Sequence, residues 1–65
     1  MPKYPDINVQ LSGEDGNAFV VIGLVRKAMR RAKVPDDEIE QFTVTCHRGD
    51  YDNVLRTCMD WVTVH

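Results

Sequence analysis

Trp61-Val62-Thr63-Val64-His65 alternates with period two, and it has one counterpart elsewhere in the chain, Ile7-Asn8-Val9-Gln10-Leu11. Successive side chains leave a strand on opposite faces, so each stretch reads as a half-buried strand. Everything between them has helical spacing. The expected fold is α+β, ordered β-α-α-α-β, with the terminal strands paired in a small sheet and three helices packed on one face. Whether the strands run parallel or antiparallel is left open by the pattern. A two-stranded sheet is marginal in water and leaves each strand an unpaired edge, so association with a second copy or another protein is the sharpest functional expectation.

The alternation also assigns faces. If Val62 and Val64 join Ile7, Val9 and Leu11 over the helices, Trp61 and Thr63 point to the open face beside Asn8 and Gln10. Trp61, Thr63, Asn8 and Gln10 are therefore the candidate interface, with the large aromatic as its anchor.

The first helix is expected over 18–32, capped by Asn17 or Asp15. Ala18, Val21, Ile22, Val25, Ala28, Met29 and Ala32 form its apolar stripe. Phe19, Val20, Gly23 and Leu24 occupy the other side of its first half, which is expected to be central and packed on two sides. Gly23 costs about 1 kcal/mol relative to alanine in a helix, and close approach by another backbone is the expected compensation. The second half carries Arg26, Lys27, Arg30, Arg31 and Lys33, five of the eight basic residues. Arg26, Arg30 and Lys33 fall along one side, with Lys27 and Arg31 beside them. This basic face is a candidate for phosphates or an acidic partner. Cations near a helix C-terminus also complement its dipole, so a solvated structural face is the competing reading. No aromatic residue interleaves with the cluster, which weakens the case for single-stranded nucleic acid.

Lys33-Val34-Pro35 breaks the first helix. Asp36, Asp37 and Glu38 suit the first turn of a second helix, in which Ile39, Phe42 and Cys46 recur at helical spacing. Arg48-Gly49 ends it, with Gly49 expected in a left-handed cap. Asp50 is the expected N-cap of a third helix over 51–60, with Val54, Leu55, Cys58 and Met59 on its apolar face.

At 65 residues with 43% hydrophobic and 28% charged side chains, the chain is one small folded domain, 1–65, whose first five residues are held extended by Pro2 and Pro5 and expected to be mobile. A chain of this size buries only about 60% of the surface its unfolded form exposes, so its core is thin and an oligomer would help it. No apolar run reaches the roughly 20 residues of a membrane span, and the start lacks the apolar stretch of a signal peptide. A cytoplasmic protein without membrane contact is expected, and Cys46 and Cys58 should then stay reduced.

No enzyme, cofactor or metal is expected. Cys46, Cys58, His47 and His65 lack zinc-like spacing, and both cysteines fall on apolar helix faces as core thiols, with a mutual disulfide as the alternative. Cys46 beside His47 is a poor nucleophile pair because helix neighbours point about 100° apart. Asp50 and Asp52 are explained by capping rather than acid/base work. Arg48-Gly49-Asp50 matches an adhesion motif by letters but reads as a helix stop and cap, and the acidic Gly13–Gly16 loop lacks the lysine of a phosphate cradle.

Asn8-Val9-Gln10-Leu11-Ser12-Gly13, Asp15-Gly16-Asn17-Ala18-Phe19 and Gly49-Asp50-Tyr51-Asp52, with Val54-Leu55 and Trp61-Val62, resemble a family of short uncharacterised bacteriophage and bacterial proteins. The resemblance spans nearly the whole chain and carries no activity with it. It implies a compact autonomous domain and, through genomic context, a phage accessory protein that binds a host factor in the host cytoplasm. The expected function is accordingly protein binding or self-association, with nucleic-acid or nucleotide binding through the basic face as the alternative.

Overall fold

The computed structural model describes residues 1–11 and 17–65. The loop expected at 12–16 and the alternative cap Asp15 lie outside the described residues. The order is β1 (Tyr4–Val9), α1 (Ala18–Arg31), α2 (Asp36–Cys46), α3 (Tyr51–Trp61) and β2 (Val62–Val64). The two strands pair in parallel, with Asn8 opposite Thr63 and Val9 opposite Val64. Ile7, Val9 and Val62 are buried against the helices while Asn8 and Gln10 are exposed, so the expected alternation of the first strand holds.

β1 begins three residues before the expected strand. Pro5 has no N–H for the ladder, and the pairing is irregular between Tyr4 and Asn8. There the Thr63 hydroxyl donates to the Pro5 carbonyl at 2.8 Å, and the Lys3 amide donates to the Asp60 carbonyl at 2.9 Å. Of the first five residues, Tyr4 and Pro5 thus belong to the strand, and the backbone of Lys3 and Pro5 is hydrogen-bonded.

Asn17 caps α1 by accepting from the Phe19 amide at 2.9 Å. Val21, Ile22, Val25 and Met29 are buried as the stripe requires. The other side of the first half is not central: Phe19 is 78% exposed, Val20 is exposed, and among the described residues nothing lies within 4 Å of the position a Gly23 Cβ would occupy. An apolar composition all round misled the expectation, because the helices pack on one side of α1 only. At its other end Lys33 adopts φ 65°, its amide donates to the Arg30 carbonyl at 3.0 Å, and the Val34 amide donates to the Met29 carbonyl at 3.0 Å. That pair of bonds is a Schellman cap, in which Val34 packs back toward Met29 and both are buried. Pro35 follows and starts α2.

Ile39, Phe42 and Cys46 bury the inner face of α2, and the Thr43 and Thr45 hydroxyls donate to carbonyls one turn back. Gly49 does not take the expected left-handed conformation; its role is steric. A Cβ there would meet the Asn53 Cβ at 2.9 Å, and Asn53 uses that room to donate through Nδ2 to the Thr45 carbonyl at 2.9 Å, capping the end of α2. Asp50 caps α3 by accepting from the Asn53 amide at 3.1 Å.

The buried face of α3 is Val54, Thr57, Cys58 and Trp61, while Met59, expected inside, is 53% exposed. Trp61 belongs to this face by helical spacing, seven residues after Val54. The expectation that Trp61 faces outward is therefore overturned. It is the last residue of the helix, only 8% exposed, and Val62 begins the strand with no loop between them. Both are buried because the period changes from 3.6 to two between them. The Trp61 ring meets Tyr4 at 6.2 Å, nearly parallel, and Phe42 at 5.9 Å, edge to face, joining β1, α2 and α3 in one cluster.

No helix among the described residues is long and apolar enough to cross a membrane.

Candidate polypeptide-binding groove

Backbone alternation fixes what β1 presents to solvent. The His65 amide donates to the Val9 carbonyl at 3.0 Å and the Leu11 amide donates to the His65 carbonyl at 2.6 Å, so Val9 and Leu11 turn their peptide groups toward β2. By the same alternation, Asn8 and Gln10 turn theirs to the opposite edge, which has no strand beside it among the described residues. The Asn8 side chain makes one local contact here, donating to the Asp6 carbonyl at 3.2 Å.

The run Asp6–Gln10 lines a groove of about 590 Å³ together with the flank of α1 formed by Leu24, Lys27, Ala28, Arg31 and Ala32. Leu24 and Ala28 are half-buried; Lys27 and Arg31 are exposed, and neither has an ion pair or side-chain hydrogen bond among the described residues. The groove therefore combines a backbone edge unpaired among the described residues, a shallow apolar wall of Leu24, Ala28 and Ala32, and a rim that carries two cations, Lys27 and Arg31, against the single carboxylate of Asp6. Those are the parts needed to hold an extended chain as an added strand.

The basic cluster does not form one face. Lys27 and Arg31 belong to the β1 groove. Arg26 and Arg30 lie about 100° away around α1 and line a cleft of about 450 Å³ with Asp36, Ile39, Glu40 and Thr43 of α2. Arg26 Nε is buried there without a hydrogen-bond partner among the described residues. Lys33, in its left-handed cap, leaves the helical line altogether and borders the start of β1. Sequence neighbours i and i+1 diverge on a helix, so this division is present in the spacing of 26, 27, 30 and 31, although five cations in a row obscure it.

The four residues expected to make an interface are also divided. Asn8 and Gln10 stand on the exposed edge, Thr63 is bonded to Pro5, and Trp61 is inside. Leu24 and Ala28, which the expectation did not include, supply the apolar wall; their i, i+4 spacing beside Lys27 and Arg31 is the signal that places them.

A clasp closes the strand end. Lys3 Nζ pairs with Glu38 Oε1 at 2.7 Å and Tyr4 Oη donates to the same oxygen at 2.6 Å. The bonds from Lys3 and Tyr4 hold the Glu38 carboxyl below its ordinary range. The Tyr4 hydroxyl, bonded to Glu38 and partly desolvated, is pushed up to about 12.

Cys46 and Cys58 are both buried and free. They are hydrogen-bond neighbours between α2 and α3; that bond and burial push the Cys58 thiol up, which keeps it protonated and unreactive. His47 and His65 are exposed, His47 beside Phe19 at 6.4 Å between ring centroids. Comparison with protein-family models, with curated proteins and with solved structures gives no match to this chain.

Proposed function

We propose that this protein is a small non-enzymatic binding domain that takes up a segment of another polypeptide as an added strand along the free edge of β1. The observation that carries the reading is the Asn8 and Gln10 backbone, unpaired among the described residues, beside the α1 wall. Main-chain hydrogen bonds supply affinity in such sites, and the flanking wall supplies selectivity. The resemblance to short phage and bacterial proteins supports a role as a phage accessory protein, with a host-cell protein as the partner.

Self-association has support at a different place. Leu11, Leu55, Met59, Val64 and His65 line an almost wholly apolar hollow of about 250 Å³ beside β2, with no Asp, Glu, Lys or Arg in its lining among the described residues. Nucleic-acid binding has less support than the basic cluster promised, because Arg26 and Arg30 face Asp36 and Glu40 across their cleft.

Selection of binders from a random-peptide display library on the folded protein, followed by counter-screening on Asn8→Pro, tests the proposal. Proline removes one outward N–H and spares the ladder to β2. Binders lost on an Asn8→Pro protein with an unchanged circular dichroism spectrum support strand addition. Binders that hold equally to both proteins overturn it.

A further inference from the structure

We infer that the strand taken up by the β1 groove is acidic, with two carboxylates at positions i and i+2 that face Lys27 and Arg31. The inference rests on the strand-addition reading and adds its chemistry. Four residues along a helix advance about 6 Å, and two residues along a strand advance about 6.6 Å. Two same-side residues of an added strand therefore match the rise from Lys27 to Arg31. Both cations are exposed and have no partner among the described residues, so they are free to pair with an incoming chain. Between and below them Leu24, Ala28 and Ala32 leave room for the methylene stems and for small apolar neighbours.

The same charges argue against a second copy as occupant. Antiparallel pairing of two β1 edges about a two-fold axis would bring two α1 flanks together, with Lys27 and Arg31 of each facing those of the other. Like charges so placed oppose association. An acidic segment of a different protein meets no such opposition, and the lysine at the edge serves as a guard against self-pairing.

The test uses three fluorescein-labelled nonapeptides of alternating Thr and Val that differ only at one central pair: Glu-x-Glu, Gln-x-Gln and Lys-x-Lys. Anisotropy is followed on the full chain at low and physiological salt, with a labelled oligothymidine as a fourth probe. Two exposed pairs are worth about tenfold in affinity together. Glu-x-Glu should bind about tenfold more tightly than Gln-x-Gln, Lys-x-Lys should bind least, and the double variant Lys27→Glu/Arg31→Glu should reverse the order. Equal binding of Glu-x-Glu and Gln-x-Gln, lost on Asn8→Pro, overturns the acidic partner and leaves strand addition standing. Binding of no peptide, or binding indifferent to Asn8→Pro, overturns both. Oligothymidine that displaces Glu-x-Glu and binds more tightly assigns the cations to phosphate and also overturns the inference.

Discussion

Lys3 Nζ lies 4.5 Å from the centroid of the Trp61 ring while it pairs with Glu38 at 2.7 Å. A cation over an indole face is attracted by the ring quadrupole, so one side chain ties the start of β1 to the end of α3 and the first turn of α2. A residue read as an exposed anchor is thus an internal hub at which the start of β1 packs on α2 and α3.

Glu38 gives this clasp a pH signature. Its carboxyl is lowered in the folded protein, first by Lys3 and then by Tyr4. The stability it contributes is present above the ordinary carboxyl value of 4.5 and is lost as pH falls through the lowered value. Tyr4 has the opposite sign, since a raised hydroxyl favours the neutral form; its contribution is present below pH 10 and lost as pH rises toward about 12. Urea midpoints measured from pH 2 to 12 should fall at both ends, and Glu38→Gln should flatten both limbs.

Lys33 pays for its left-handed backbone. Replacing it with glycine keeps the Schellman bonds from Lys33 and Val34 to the carbonyls of Arg30 and Met29 and removes the Cβ penalty. Lys33→Gly should stabilise the fold by about 1 kcal/mol in chemical denaturation.

The glycines of α1 and of the α2–α3 turn should respond in opposite directions to alanine. Gly23 has open space where its Cβ would stand, so Gly23→Ala should stabilise the protein by about 1 kcal/mol. Gly49→Ala would push a Cβ against Asn53 and disturb the cap on Thr45, at a cost of about 1 kcal/mol. Thermal melts of the two variants check the pair.

Phe42 is fully buried against Trp61. Phe42→Ala should cost about 3–5 kcal/mol, which is most of the stability available to a domain of this length at about 0.05–0.15 kcal/mol per residue. Trp61 fluorescence should shift to the red at 25 °C if the variant unfolds as expected.

The order of elements, the caps at Asn17 and Asp50, and the buried faces of α1 and α2 were legible because each depends on spacing or on one side chain next to its own backbone. Three features were not. Trp61 sits where helical and strand periods meet, and two-residue alternation read from the strand side sent it outward. Gly49 carries a glycine's usual cap signature, yet its function depends on Asn53 four residues later. The groove depends on which edge of β1 stays free, and that is decided by parallel pairing with a strand more than fifty residues away, which no local pattern encodes. The division of the basic cluster was within reach, since 26 and 30 share one side of α1 and 27 and 31 another.

Amide hydrogen exchange of Asn8 and Gln10, followed by NMR with and without the Glu-x-Glu peptide, tests the central claim most directly. In the free protein these two amides should exchange rapidly while the Leu11 and His65 amides, bonded within the sheet, are protected. Bound peptide should bring Asn8 and Gln10 to comparable protection. Protection of both amides before any ligand is added, or a bound state in which they remain fast while other residues slow, would contradict strand addition at β1.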